Sequence, residues 1–406
     1  MLVQEPCLPT SPSDSIHTQP GHPARLALTL AISPIVSIGI GRFAYALVLP
    51  DMRDSLHWSY SAAGFMNTMN AAGYLVGALI ASRIIRRYGS SLVVRGGTLA
   101  ALASLALCGL TENFAALSVA RLIAGIGAAA AFVAGGALAT RIAQSRPHQA
   151  SFIMSLFYAG PPLGIIVSGL SAPFVLQIGG PGSWWMVWWV LAAVGAVLTI
   201  PLLLTPISQN ALIHDPTTPK FSLRPMAIYL ASYFVYGMGY IAYMTFMIAY
   251  VRDLGGGAAA QAAFWCLIGL AGFAASWVWR RMLAWDRGGW PTAIILVVNA
   301  IGSALQTLGH STTMLALSAI LFGLAFSTVT ASTSVFVRLN VPPSAWPGAI
   351  AALTIAVGVG QTLGPFAVGA ITDALGSLSY ALNISAATLL VAAIMAATQG
   401  KLKKPS

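Results

Sequence analysis

The chain has 406 residues, of which 57% are hydrophobic and only 7% are charged, and its formal net charge is +11. A soluble protein has roughly 25% charged residues, so this composition excludes an ordinary water-soluble fold and favours a chain surrounded by lipid. The excess of cations could suggest nucleic-acid binding, but the positions of the cations relative to the apolar segments argue against it.

Twelve apolar segments follow one another, each close to the roughly 20 residues that cross a bilayer core. The predicted spans are 26–49, 60–82, 92–110, 114–140, 150–175, 184–205, 226–250, 259–279, 290–309, 313–336, 347–374 and 378–397. We therefore expect an all-α membrane protein with two six-helix bundles, 25–205 and 226–398. The polar stretch 206–225 is the predicted cytoplasmic linker. Residues 1–24, with five prolines, and 399–406 are predicted cytoplasmic tails, the first of them disordered.

The cations are distributed unequally between the two sides of this predicted topology. Sixteen of the twenty Lys and Arg residues flank the spans on the side that holds both termini. The opposite side has only Arg53 and Arg252, while Arg42 and Arg121 fall inside spans. The positive-inside rule therefore places both termini in the cytoplasm. The basic charge follows from topology, and we expect no nucleic-acid partner.

Two motifs of the first half recur in the second. Gly39–Tyr45 reads GIGRFAY in the first span, and Gly237–Tyr243 reads GMGYIAY in the seventh. An Ala-Ser pair followed after three residues by Arg-Arg begins at Ala81 and again at Ala275. The offsets, 198 and 194 residues, agree apart from small loop changes.

A Gly-Pro pair also recurs, in the fifth and eleventh spans, at an offset of 204 residues. Glycines permit close helix packing and prolines weaken a helix locally, so these are predicted packing or hinge positions. They are Gly160, Pro161, Gly164, Gly364 and Pro365. The three repeats predict two pseudo-symmetric halves related by an axis along the membrane normal, with a solute site at their interface near the midplane.

The fourth span reads Leu117-x-x-x-Arg121-x-x-x-Gly125-x-Gly127-Ala128-Ala129, which resembles the fourth-helix signature of the major facilitator superfamily. The GIGRFAY and GMGYIAYMTF motifs resemble more narrowly its YbfB/YjiJ-like bacterial branch. The resemblance covers about residues 25–398. It implies a monomeric secondary transporter of the bacterial inner membrane that moves a small solute by alternating access.

The loop after the second predicted span departs from the family pattern. Gly89 is present, but Arg86 stands where the family has an Asp, so the usual charge relay at this loop is in doubt. The arginine pairs that follow the second and eighth spans remain candidates for coupling or gating: Arg86, Arg87, Arg280 and Arg281.

Two arginines inside spans are the clearest functional candidates, because ionisable groups in a membrane are costly. At 1.5 Å per residue, Arg42 lies about 12 Å and Arg121 roughly 10 Å from the outer face. The other predicted binding residues at nearby depths are Tyr45, Asn67, Asn70, Tyr236, Tyr240 and Gln361. Arginine pairs bidentately with carboxylates, so we expect a small organic anion as solute.

Each of these residues also has a structural interpretation. Arg42 could cap carbonyl groups of a broken helix, and Arg121 could serve helix packing and coupling rather than solute contact. The asparagines could form hydrogen bonds between helices, and the tyrosines could pack.

No acidic residue or histidine is predicted at mid-depth, and arginine does not release its proton. Three possibilities remain for coupling. A proton travels on the solute's carboxyl group, or Asp51, Asp54 or Asp373 titrates near the outer face, or the protein is an uncoupled exchanger.

The same lack of mid-depth acids and histidines argues against a membrane enzyme, which needs a nucleophile–base pair or a metal cluster. We expect no cofactor and no metal; the expected partners are the solute, membrane lipid and, in the coupled case, protons. Two alternative functions are efflux of hydrophobic or cationic compounds and a transporter-derived membrane sensor.

Overall fold

The computed structural model describes residues 23–207, 222–309 and 311–402. Residues 1–22, 208–221 and 403–406, which belong to the predicted tails and the predicted linker, lie outside the described residues, as does His310.

The described chain is built from membrane-spanning helices. Eleven helices are long and apolar enough to cross a membrane, and the helix Trp290–Leu308 occupies the place of the predicted ninth span. In chain order the twelve are α1 (Pro23–Ser55), α2 (Tyr60–Tyr88), α3 (Ser90–Cys108), α4 (Phe114–Ser145), α5 (Pro147–Gly179), α6 (Trp184–Leu204), α7 (Arg224–Asp253), α8 (Ala258–Val278), α9 (Trp290–Leu308), α10 (Thr312–Asn340), α11 (Pro343–Leu375) and α12 (Leu378–Thr398). The prediction of an all-α membrane fold is confirmed.

Several helices begin at a side-chain cap. The carbonyl oxygen of Asn113 accepts from the backbone N–H of Ala116 at the start of α4, at 3.0 Å. Ser59 caps α2 and Ser311 caps α10 in the same manner. Gly89 separates α2 from α3 with φ of 79°, a conformation that residues with a Cβ rarely adopt.

Some helices run beyond the predicted spans. The first helix is longer than the predicted span 26–49, since α1 continues through Pro50 to Ser55. Proline removes one backbone hydrogen bond, but the surrounding turns are buried from Tyr45 to Met52 and hold the helix together. On the other face, α2 continues to Tyr88 because the long side chains of Arg86 and Arg87 extend towards water while their backbone stays helical.

Small residues bring helices of the N-terminal bundle into backbone contact. A side chain at Gly73 or Gly77 would collide with the α4 backbone at Leu122 or Ile126. In the C-terminal bundle, Gly323 of α10 lies against the backbone of Ile268 in α8. Membrane helices associate through such packing because lipid removes the hydrophobic driving force between them.

The recurring motifs occupy equivalent places in the two bundles. Gly39 of α1 contacts the backbone of Gly164 in α5, whereas Gly364 of α11 contacts the backbone of Met238 in α7. A turn at Ala159 interrupts α5 just before Gly160 and Pro161. The predicted packing and hinge residues thus lie where the first helix of each half crosses the fifth; Pro365 lies inside α11, and its carbonyl contacts Gly64 of α2.

The first helices of the two halves differ in backbone geometry. From Ile35 to Phe43, α1 is π-helical, whereas the corresponding α7 is a regular α-helix over Ala227–Asp253. π-helical turns are rare and often occur at functional sites. Arg42 lies within this segment.

Candidate functional site

Arg42 lies at the interface of the two bundles and is only 4% exposed. Its Nη2 donates a hydrogen bond to Oε1 of Gln361 in α11, at 2.5 Å. The contact joins residues that are 319 positions apart in the chain, and it crosses from one bundle to the other. The structure thus brings together two predicted binding residues.

The charge of Arg42 is not neutralised by any carboxylate of the described residues. The ion pairs there involve Asp54, with Arg53 and Arg252, and Asp286, with Lys401. Nε of Arg42 is buried and has no hydrogen-bond partner. Nε–H and one Nη2–H of a guanidinium point the same way, so a carboxylate taking the place of the Gln361 oxygen could bind both.

Aromatic rings surround this guanidinium. The ring centroid of Tyr74 in α2 lies 4.9 Å from Cζ of Arg42, and that of Phe43 lies 5.8 Å from it. Phe43 meets Phe326 of α10 edge to face, with centroids 6.2 Å apart. Tyr240 of α7 stacks on Phe326 at 6.5 Å. The site therefore combines one cation with an aromatic lining drawn from both bundles.

Tyr236 and Tyr240, both predicted site residues, belong to a stacked column on α7. Their ring centroids are 4.7 Å apart, and Tyr233 stacks on Tyr236 at 5.6 Å. The hydroxyl of Tyr236 donates to the backbone carbonyl of Phe326, which fixes the column against α10.

Three residues of the lining, Phe43, Tyr74 and Phe326, were not predicted as binding residues, although Phe43 directly follows Arg42 in the GIGRFAY motif. Tyr74 is four residues after Asn70, so helical spacing alone indicates that the two share a face of α2. Phe326 has no comparable signal, because it lies in an apolar segment whose facing direction depends on tertiary packing.

Arg121 has a different environment from that of Arg42. Its Nη1 donates to the carbonyl of Gly41 at 2.7 Å, and its Nη2 donates to the carbonyl of Arg42 at 3.2 Å. The guanidinium lies over the rings of Tyr45 and Trp188, at 5.1 and 5.7 Å from their centroids. Arg121 therefore holds the α1 backbone at Gly41 and Arg42 through two hydrogen bonds.

Tyr45, predicted to bind solute, lies within the N-terminal bundle. Its hydroxyl donates to the carbonyl of Ala63 in α2, at 2.7 Å, and its ring stacks on Trp188 in α6. These contacts connect three helices of one half.

The two asparagines of α2 point to different partners. Nδ2 of Asn67 donates to Oγ1 of Thr245 in α7, at 2.5 Å, so this bond also crosses between the bundles. Nδ2 of Asn70 donates to the carbonyl of Arg121 at 3.1 Å. Both side-chain oxygens are buried without a partner, so each amide retains an unused acceptor.

Two of the predicted acidic candidates connect the bundles at the face where α1 ends, which is the predicted external face. Asp54 forms an ion pair with Arg252 of α7. Asp373 of α11 accepts from the backbone N–H groups of Tyr60 and Ser61, at 2.8 and 2.9 Å. These contacts close the interface at that face.

The side chain of Asp51 in α1 caps the N-terminus of another helix, α6. Its carboxylate accepts from the N–H groups of Gly182 and Trp184 at the start of α6, both at 2.9 Å. A carboxylate is stabilised at the positive end of a helix dipole. This geometry ties α1 to α6 within one bundle.

Polar contacts between the bundles are concentrated between the midplane and the predicted external face. Besides those already described, Thr68 donates to the carbonyl of Thr362 at 2.7 Å, and Trp265 donates to Ser168 at 3.3 Å. Near the opposite face, the predicted gating arginines are exposed, and none forms an ion pair within the described parts of the chain: Arg86, Arg87, Arg280 and Arg281. The described bundles are thus joined on one side of Arg42.

Comparison with known proteins identifies the family. The profile of the family described as "Uncharacterised MFS-type transporter YbfB" matches residues 34–397. The chain belongs to this family of the major facilitator superfamily. It is therefore a multi-pass membrane protein of a transporter family, which confirms the family resemblance inferred from the sequence.

Two curated relatives are each 28% identical to the chain. The alignment with the uncharacterized MFS-type transporter YceJ of Bacillus subtilis (strain 168) spans 230 residues, 54% of this chain and 56% of the relative. The alignment with the 3-(3-hydroxy-phenyl)propionate transporter of Escherichia coli (strain K12) spans 227 residues, 52% of this chain and 51% of the relative. The match thus covers about half the length of each relative.

Solved structures share the fold. A crystal structure of a variant of the nucleoside transporter NupG superposes with a TM-score of 0.71 at 14% identity, covering 91% of this chain and 98% of that one. A bacterial homolog of the human lysosomal transporter Spinster superposes with a TM-score of 0.64 at 18% identity, covering 93% and 97%. At such low identity these likenesses establish the architecture alone.

Proposed function

We propose that the protein transports a small aromatic carboxylate by alternating access, with Arg42 binding the carboxylate and the surrounding rings binding the aromatic body. The observation that carries the proposal is the buried Arg42 guanidinium, which lacks a carboxylate partner among the described residues and whose Nε has no hydrogen-bond partner. An uncompensated buried charge is costly, and a bound anion removes that cost.

The lining supports an aromatic solute rather than a highly hydrated anion. Tyr74, Tyr240 and Phe326 offer ring faces or edges within the site, and aromatic pairs prefer such stacked or edge-to-face contacts. The Escherichia coli relative is named as a 3-(3-hydroxy-phenyl)propionate transporter, which is a carrier of this chemical class. That similarity supports an aromatic carboxylate as the solute. A cationic compound is disfavoured for a separate reason, since the described site residues include no acid to attract a cation.

In the proposed cycle the solute's carboxylate replaces Gln361 at Arg42. Gln361 belongs to the opposite bundle, so the replacement loosens one of the bonds that join the two halves. Arginine keeps its proton, so Arg42 itself does not carry a co-transported proton. We further propose a bacterial inner-membrane location with cytoplasmic termini, for which the distribution of cations is the support.

The test uses three ligands of nearly equal shape. Purified protein in detergent is titrated with 3-phenylpropionate, the neutral 3-phenylpropanamide and the cationic 3-phenylpropylamine, and thermal stabilisation is recorded. A true ligand stabilises by RT ln(1 + [L]/Kd). We expect stabilisation by the carboxylate alone, together with counterflow of the labelled carboxylate in proteoliposomes. Equal or greater stabilisation by the amine contradicts the proposal.

A further inference from the structure

A groove runs along the lipid-facing surface of the N-terminal bundle, away from Arg42. It has a volume of about 420 Å³, with walls from α2 and α3 and a floor from α4. Its lining is almost wholly apolar and consists of Ile84, Tyr88, Leu92, Val93, Gly96, Gly97, Ala100, Ile123, Ile126, Gly127 and Ala130.

Small residues make the groove. On its floor, α3 and α4 approach so closely that a side chain at Gly97 would collide with the carbonyl of Gly127. Gly96, one residue earlier, faces open space, because a Cβ built there meets no atom within 4 Å. The absent side chain at Gly96 therefore leaves room for a ligand.

The dimensions of the groove match an acyl chain in one leaflet. It extends from Tyr88 and Leu92, at the predicted cytoplasmic ends of α2 and α3, to Ala100 and Ile123 near the middle of their helices. The eight helical steps from Leu92 to Ala100 rise about 12 Å. Half of a typical hydrocarbon core is about 15 Å thick.

Positive charge lies at the predicted cytoplasmic end of the groove. Arg83, Arg86 and Arg87 are exposed on the last turns of α2, and within the described chain none of them forms an ion pair. The guanidinium of Arg87 lies over the ring of Tyr88, 5.4 Å from its centroid, and Tyr88 lines the groove. The sequence has no Asp or Glu from residue 55 to residue 111. The segment that carries these arginines therefore has no carboxylate of its own to compete with an anionic headgroup.

We propose that one anionic glycerophospholipid binds in this groove, with an acyl chain along α4 and its phosphate beside Arg83, Arg86 and Arg87. The apolar groove accounts for the chain, and the unpaired cations account for the anionic headgroup. Each cation near a membrane surface contributes about 1 kcal/mol towards anionic lipid. The site is separate from the solute site, so its test does not depend on the proposed function.

The test measures retained lipid by native mass spectrometry. Protein is equilibrated with phosphatidylglycerol or phosphatidylcholine of identical acyl chains. We expect wild type to retain one phosphatidylglycerol in preference to phosphatidylcholine, Gly96→Leu to lose that lipid, and Gly348→Leu to keep it. Gly348 is a matched control because it is helical and exposed, and a Cβ there also meets no atom within 4 Å.

Two further variants separate the chain from the headgroup. Leu92→Trp fills the mouth of the groove from an exposed position and should also remove the lipid, while thermal unfolding checks that each variant is folded. Arg87→Gln should lower the preference for phosphatidylglycerol by about five-fold, the equivalent of about 1 kcal/mol. Retention of the lipid by both groove-filling variants, or equal retention of the two lipids by wild type, overturns the proposal.

Discussion

The two halves of the protein share a backbone plan but place different chemistry on it. Arg42 of the first half corresponds, at the repeat offset of 198, to Tyr240 of the second. Tyr45 lies beneath the Arg121 guanidinium, whereas its counterpart Tyr243 stacks on the ring of Phe322 at 4.2 Å. The first half thus carries the buried charge, and the second carries rings.

The helical geometry differs in parallel with this chemistry. The π-helical segment of α1 presents the carbonyls of Gly41 and Arg42 to Arg121, while α7 is regular and packs against aromatic side chains. The two halves therefore repeat the same arrangement of helices, whereas the side chains at equivalent positions of the site differ in chemistry. An anion with an aromatic body fits such a divided site, because one half can hold its charge and the other its ring.

The largest expected effect on stability comes from Phe322→Ala. Phe322 is fully buried against Tyr243, and its removal leaves a cavity. Because lipid rather than water surrounds the unfolded helices, we expect a loss of about 3 kcal/mol, the low end for Phe→Ala. Chemical unfolding in detergent measures it, with Phe273→Ala, a lipid-facing control, costing under about 1 kcal/mol. If the two variants are equally stable, the stacking of Tyr243 on Phe322 does not stabilise the C-terminal bundle. The proposed correspondence with the Tyr45–Arg121 contact of the N-terminal bundle would then be wrong.

Arg121→Met is expected to cost about 2 kcal/mol in the same assay. It removes two charge-assisted hydrogen bonds to the α1 backbone, each worth about 1.5–3 kcal/mol, while the relief of burying a charge offsets part of the loss. Arg42→Met, which loses one bond to Gln361, should change stability by less than about 1 kcal/mol. If the ranking is reversed, Arg42 is the structural arginine and the division of roles between the two is wrong.

The sequence predicted the repeat because its motifs are local, and the structure places the Gly-Pro pairs of both bundles where the first helix of each half crosses the fifth. It also predicted most spans to within a few residues of the helices, apart from the continuation of α1 to Ser55 and of α2 to Tyr88. Helix ends depend on burial of the surrounding turns, which composition alone does not report. The fold was therefore largely accessible from the chain.

The details of the site were less accessible. The Arg42–Gln361 bond joins two distant spans, and the π-helical turn is packed where Gly39 of α1 meets Gly164 of α5. Neither feature can be predicted from a short stretch of the sequence. Asp51 shows the same limit. The sequence alone does not distinguish an aspartate that caps the N-terminus of α6 from one that titrates at a gate of the transporter.

A smaller effect is expected from Asp373→Asn at the predicted external face. The neutral amide accepts more weakly from Tyr60 and Ser61, by about 1 kcal/mol, so the population of the externally open state should rise about five-fold. Spin labels at Ser55 and Ala259, on opposite bundles, measure the distance distribution. Asp54→Asn, which weakens an ion pair between partly exposed side chains, should produce a smaller shift because surface ion pairs contribute little. Unchanged distances in both variants would show that these contacts do not hold the bundles together.

The central claim is that Arg42 binds the solute's carboxylate, and equilibrium binding to Arg42 variants tests it most directly. We predict that Arg42→Gln weakens binding of 3-phenylpropionate on the order of a hundred-fold, about 3 kcal/mol, because two charge-assisted hydrogen bonds are lost. Arg42→Lys keeps the charge without the planar pair of donors and should weaken binding about ten-fold. Binding of the carboxylate by folded Arg42→Gln protein with wild-type affinity would contradict the account.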